Sequence, residues 1–154
     1  MPSIIIPAHN EEALIERTLR GVLGDGVPDL EIVVVVNAST DRTADVARSV
    51  DPAITVVETS TPGKCHALNL GESKLDSFPR MFLDADIELH PGSLRRLFDA
   101  VSEARPIVSP RPIFDLARVS SGVRVFYRAL RFNNYFGHGS PNGSGCFVVS
   151  ASGR

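Results

Sequence analysis

A chain of 154 residues can bury one hydrophobic core but not comfortably two, so a single domain is expected. Acids and bases are mixed along it and leave a net charge of −2, which argues against a nucleic-acid partner. The longest wholly aliphatic run, Ile32 to Val36, falls far short of the roughly 20 residues that cross a bilayer; no basic-then-apolar leader opens the chain, and Cys65 and Cys146 form no Cys-x-x-Cys pair, so a soluble, cytoplasmic protein with reduced thiols is expected.

In chain order, "SIIIPA" at residues 3–8 predicts a strand stopped at Pro7, and "NEEALIERTLRGVLG" predicts a helix over 10–24 with Leu14, Leu19 and Val22 at helical spacing. "EIVVVVN" at 31–37 is too apolar to have a wet face, which suits a central parallel strand covered on both sides. "STDRTADVARSV" predicts a helix capped by Ser39 or Thr40, with Asp41 as a first-turn acid favoured by the helix dipole. "ITVVE", "GKCHALNLGES", "RMFLDAD" and "PGSLRRLFDAV" then read as strand, helix, strand and helix, the last with Pro91 near its start. This alternation predicts an α/β fold with a mostly parallel sheet and helices on both faces.

After Glu103 the pattern loosens. "PIVSPRP" reads as a strand, "SSGVRVFYRALRF" as a helix, "NNYFGHGSPNGSG" as a glycine-rich loop and "CFVVSA" as a last strand. The chain stops at Arg154 just after it, and from that abrupt stop a C-terminal part is expected to be missing or to lie on another chain.

In open parallel sheets, ligands bind beyond the carboxyl ends of the strands. The predicted strand ends carry His9, Asn10 and Glu11; Asn37, Ser39 and Asp41; Gly63 and Lys64; and Asp84 and Asp86. The Gly-x-Gly-x-x-Gly turn of dinucleotide folds is absent from this rim, as is a phosphate loop ending in Gly-Lys-Ser/Thr.

Asp84 and Asp86 lie two apart on what reads as an extended segment, so both carboxylates should face one cleft. Three readings stand: a divalent-cation site shared with a diphosphate, a phosphoryl-accepting nucleophile, or the solvated end of a strand. Mn²⁺ or Mg²⁺ would turn the repulsion between two carboxylates into binding, and would stabilise negative charge on a departing diphosphate. A nucleophilic aspartate needs a downstream lysine, and none follows Asp86.

Four stretches in series, "PAHNEE" at 7–12, "VVNASTDRT" at 35–43, "GKCHALNLG" at 63–71 and "FLDADIELHPGSL" at 82–94, resemble the family 2 glycosyltransferases of the GT-A fold, in that family's order and spacing. "GSGCFVVSASGR" at the end is similar to a later family element that approaches the donor sugar. The resemblance implies one GT-A-like domain, with 1–103 as the nucleotide-sugar-binding half and 104–154 as the start of the acceptor side. It implies inverting, metal-assisted transfer from a nucleotide-diphosphate sugar of UDP or GDP type to an acceptor, lipid-linked or polysaccharide among the candidates. It assigns Pro7, Asn10 and Glu11 to the nucleoside pocket, with Glu11 the more direct contact, and places Lys64 near the nucleotide. Asp84 is assigned to ribose or metal and Asp86 to the metal, while Gly143, Gly145 and His138 fall toward the donor sugar and acceptor.

Two departures qualify this. Val36 stands where the family commonly has an Asp that reads the base; a valine accepts no hydrogen bond, so Asn37 is the expected substitute. The family's catalytic Asp or Glu lies downstream of the element resembling "GCFVVSASGR", so the general base is expected beyond Arg154, and this chain is expected to bind donor better than it turns it over. A nucleotide-sugar-binding module without catalysis is the alternative, and an Asp-nucleophile phosphohydrolase the third.

His9, His66, His90 and His138 share no metal spacing and read as surface or loop residues, with only His138 near the expected cleft. Asp115, between Phe114 and Leu116, carries no signature of a base. From Val119 to Arg131, Val119, Val123, Phe126 and Leu130 share one helical face opposite Arg124, Arg128 and Arg131. Such a face packs on the sheet or a partner chain, or lies on an anionic membrane at its inner surface.

Overall fold

The computed structural model describes residues 1–110, 120–125 and 145–153. The expectations for Asp115, His138 and Gly143 lie outside the described residues, as does most of the amphipathic segment, of which 121–125 are helical and exposed. The expected alternation is present: β1 (Ser3–Ala8), α1 (Ile15–Gly24), β2 (Glu31–Asn37), α2 (Thr43–Val50), β3 (Thr55–Thr59), α3 (Lys64–Glu72), β4 (Arg80–Leu83) and α4 (Ser93–Ala100), then β5 (Ile107–Val108) and β6 (Cys146–Val149). The six strands form one sheet in the order β3-β2-β1-β4-β6-β5. β1 pairs in parallel with β2 and β4, and β2 with β3, whereas β6 is antiparallel to both β4 and β5.

Register explains the unbroken apolar run of β2. With Ile4 opposite Ile32 and Ile6 opposite Val34, alternate residues reach opposite faces. Ile4, Ile6, Val34 and Val36 pack with Ile15, Leu19 and Val22 of α1, Ala44 and Ala47 of α2, and Leu94 and Leu97 of α4. Ile5, Val33 and Val35 meet Ala67 of α3 and Leu75 on the other face. The sheet is therefore covered on both sides, and no strand residue there can be polar without a partner.

α3 approaches the sheet closely because Gly71 faces it. A Cβ at that position would stand 2.5 Å from Ile5 Cγ2 and 3.2 Å from Val35 Cγ2. Gly71→Ala is accordingly expected to cost about 1–3 kcal/mol through overpacking, seen as a lower urea midpoint with an unchanged slope.

Several boundaries differ from the sequence reading. α1 starts at Ile15, not Asn10, because the Glu11 carbonyl accepts from the N–H groups of Leu14 and Ile15 in a preceding turn. α2 starts at Thr43, and neither Ser39 nor Thr40 caps it; both are tied to Asn10. β4 ends at Leu83, three residues short of the expected strand, because 84–87 turn back, with Ile87 N–H donating to the Asp84 carbonyl. α4 begins after Gly92, and its first amides are satisfied from elsewhere: the Asp25 carboxylate accepts from Gly92 N–H at 2.6 Å and from Leu94 N–H at 2.8 Å. Among the described residues no helix is long and apolar enough to cross a membrane.

Candidate functional site

The ends of β1, β2 and β4 and the start of α3 surround a cleft of about 370 Å³. Pro7, Glu11, Asn37, Lys64, Asp84 and Asp86 line it, and so do His9, Pro62, Gly63 and Ala85. Asn10 is not among the lining residues.

Asn10 holds the rim instead. It sits at φ 55, its side-chain carbonyl accepts from Thr40 N–H at 2.8 Å, and its own N–H donates to Ser39 Oγ at 3.1 Å. The loops after β1 and β2 are joined a second time by Asp41, whose carboxylate accepts from Glu12 N–H (3.1 Å), Thr43 N–H (3.0 Å) and Thr43 Oγ1 (2.5 Å). Asp41 is thus a staple between loops, and no part of the first helical turn. Desolvation opposes its ionisation, but these hydrogen bonds outweigh it and hold its carboxyl below the ordinary value. Arg42 pairs with Glu12 at 2.6 Å on the outside of the same junction.

This double joint fixes Glu11, whose N–H donates to Thr43 Oγ1 at 2.8 Å. Partial burial pushes the Glu11 carboxyl up, and the negative charges of Asp86, Asp41 and Asp84 add to it against a smaller opposing effect of His9. The cleft is therefore a region of excess negative potential before anything binds.

Asn37, expected to face a base, is 5% exposed. In the orientation that satisfies both ends of its amide, it donates to the Ala8 carbonyl (2.8 Å) and accepts from Gly63 N–H (3.2 Å). It ties β1 to the loop that carries Lys64, and its carbonyl is spent on backbone. Val36 points into the apolar cluster under α1 and α2 and has no access to the cleft. His9, expected at the rim as a surface or loop residue, is exposed and lines the cleft, with Nδ1 2.7 Å from the Asn37 backbone carbonyl. A carbonyl only accepts, so Nδ1 is the donor there.

The two aspartates share the cleft for a different reason than strand alternation. Both lie in the turn after β4, which is pinned by Asp84 N–H donating to the Gly145 carbonyl (2.8 Å) and by Thr18 Oγ1 donating to the Ala85 carbonyl (2.7 Å). Lys64 Nζ, at the start of α3, lies 2.5 Å from Asp84 Oδ1. Asp86 is exposed and makes no hydrogen bond or ion pair among the described residues. Behind the turn, burial and then the charge of Asp84 push the Cys146 thiol up to about 12, so it stays protonated and inert.

Gly145, assigned from sequence to the sugar side, is placed directly against Asp84. It adopts φ 62, and a Cβ there would come within 2.9 Å of Asp84 Oδ2. Two carboxylates with this cradle fit a hard divalent cation that keeps several ligands for a bound diphosphate and water. No cluster of three or more protein ligands occurs among the described residues, so the protein alone would supply an incomplete shell.

A mostly parallel sheet, a cleft at its carboxyl edge and an Asp-x-Asp turn beside a lysine define a GT-A-type α/β domain. The chain belongs to glycosyl transferase family 2, whose family description matches residues 3–150. The 4,4'-diaponeurosporenoate glycosyltransferase of Staphylococcus aureus is 37% identical over 89 residues, covering 55% of this chain and 24% of that protein. Among solved structures, the mannosyltransferase PcManGT of Pyrobaculum calidifontis, in complex with GDP-Man and Mn²⁺, is 30% identical with a TM-score of 0.66 over 84% of this chain and 38% of that one. The glucosyl-3-phosphoglycerate synthase of Mycobacterium tuberculosis, in complex with Mn²⁺, UDP-Glc and phosphoglyceric acid, is 27% identical with a TM-score of 0.62 over 97% of this chain and 56% of that one. This chain thus spans less than a quarter of the length of the curated relatives it matches.

Proposed function

We propose that this chain carries the donor-binding part of an inverting glycosyltransferase that uses a nucleotide-diphosphate sugar of UDP or GDP type with Mn²⁺ or Mg²⁺. The observation that carries the proposal is the meeting of Lys64, Asp84, Asp86 and Glu11 in one cleft at the carboxyl ends of the parallel strands. The Mn²⁺ complexes of the two structural neighbours, one with GDP-Man and one with UDP-Glc, support it.

In this reading Pro7 and Glu11 bound the nucleoside, Lys64 faces the diphosphate, and Asp86 is the main protein ligand of the cation, with Asp84 beside it. When bound, the cation supplies Lewis-acid stabilisation of the charge that develops on the departing diphosphate. The residues of the chain do the rest: Lys64 adds a mobile positive charge, and the stapled loops hold Glu11 without reorganisation as the nucleotide arrives. His9 and Ala85 form further wall of the same cleft.

Calorimetric titration of GDP-mannose and UDP-glucose, with and without Mn²⁺, tests the assignment. At least one nucleotide sugar is expected to bind only with the metal present. Asp86→Ala should then weaken binding on the order of 100-fold, equivalent to about 2.8 kcal/mol. Metal-independent or absent binding of both nucleotides would overturn the reading.

A further inference from the structure

We propose that Lys64 is a built-in counterion that holds the cation position on Asp84 in the ligand-free protein, so that metal and nucleotide are taken up together and metal alone is disfavoured. The inference rests on the donor-site reading above and concerns how that site is filled.

The geometry leaves little choice about how Asp84 can accept a cation. Its backbone is fixed on both sides, by its N–H to the Gly145 carbonyl and its carbonyl to Ile87 N–H. Its Oδ2 lies against Gly145, where even one added carbon would stand 2.9 Å away. Oδ1 faces Lys64, whose ammonium stands 2.5 Å from it. A metal that takes Asp84 through Oδ1 must displace Lys64 or settle for Asp86 alone.

Displacement is cheap for the lysine only when it has somewhere to go. The Lys64 side chain is 57% exposed, extends from the first residue of α3 and is four carbons long, so it can swing without moving the helix. In the ligand-free cleft, the charge it would leave behind joins Glu11 and Asp86, where burial and then the neighbouring carboxylates already raise the Glu11 carboxyl. A diphosphate changes both sides of the exchange. It brings oxygens that complete the shell of the cation and offers the freed ammonium a new anionic partner. Asp84 passes from one cation to another and keeps a positive partner throughout.

By linkage, whatever lowers the affinity of metal alone and raises that of nucleotide must appear as positive coupling between the two. Replacing Lys64 by an uncharged residue should therefore have opposite effects on two affinities. Loss of a merely structural contact would weaken both.

The test measures Mn²⁺ binding by the loss of the free-ion paramagnetic resonance signal, without nucleotide and with saturating UDP or GDP, for the intact chain, Lys64→Met, Lys64→Gln and Lys64→Arg. Circular dichroism melts confirm folding of each. Lys64→Met and Lys64→Gln are expected to bind Mn²⁺ alone roughly three- to tenfold more tightly than the intact chain. They should bind nucleotide more weakly, so the gain in Mn²⁺ affinity caused by nucleotide shrinks, while Lys64→Arg behaves like the parent. If metal-alone affinity is unchanged or weaker in both neutral variants, while the intact chain binds metal and nucleotide together, the counterion role is wrong and the donor site stands. If the intact chain binds no Mn²⁺ even with UDP or GDP, both readings fall.

Discussion

Arg80→Ala is expected to destabilise the chain by about 3–5 kcal/mol, the largest effect on folding of any single side chain considered. Arg80 is the bulkiest fully buried side chain described, at 0% exposure, although it is charged. Its guanidinium donates to the Leu75 carbonyl (2.6 Å), the Ser77 carbonyl (3.3 Å) and Glu72 (3.2 Å), and its Nε lies 3.4 Å from Ser3 Oγ. It also stands over the Phe78 ring at 4.4 Å. These bonds fasten the chain between α3 and β4 to the start of the sheet. Alanine would leave a cavity and carbonyls without donors, both costly in a buried place, and would take from Glu72, 30% exposed, its ion-pair partner. Arg80→Met keeps most of the volume and should lose less, about 2 kcal/mol. Urea unfolding followed by circular dichroism measures both, and a loss below 1 kcal/mol for alanine would mean the site is wet enough to do without its cation. Against a total of about 5–15 kcal/mol for an ordinary domain, the alanine variant is expected near the edge of stability.

Gly145→Val should remove metal-dependent nucleotide binding while sparing most of the stability. A β-branched residue at φ 62 is strained, and its first carbon would meet Asp84 Oδ2. Asp84 cannot retreat easily, since its amide is bonded to the Gly145 carbonyl itself. The carboxylate must rotate, and the approach to Oδ1 is lost with it. We expect a loss of at least about 100-fold in Mn²⁺-dependent affinity for UDP or GDP, or about 2.8 kcal/mol, against about 1–3 kcal/mol of stability from the strained backbone. Calorimetry and thermal melts separate the two, and intact affinity in a folded variant would show that Asp84 is not needed in its present rotamer.

The parts of this fold that were legible in sequence are those decided by burial on both faces. The run Ile32 to Val36 can be nothing but a covered strand, and it is β2 at the second position from one edge, flanked by β1 and β3. The same logic located the cleft, because polar residues that interrupt such strands collect at their carboxyl ends. What escaped were features fixed by partners far away in sequence. Asp84 and Asp86 looked like strand residues by alternation, but the amide of Asp84 goes to Gly145 and the strand stops before it. Arg80 opens a predicted strand, and nothing local reveals the carbonyls of Leu75 and Ser77 that enclose it. Asn37, expected to meet a base, lines the cleft, but the bonds that its amide makes to Ala8 and Gly63 are visible only once two strands and a loop are assembled.

The carboxylate of Asp25, just past α1, closes the first turn of α4 across 69 residues of sequence to Leu94. Helix nucleation is unfavourable when its first amides have no acceptor, and here the acceptor arrives only after three strands have been threaded between. α4 is therefore a helix in tertiary context more than in its own right. Anything that loosens the end of α1 is therefore expected to fray the start of α4, 69 residues away in sequence but in direct contact in space.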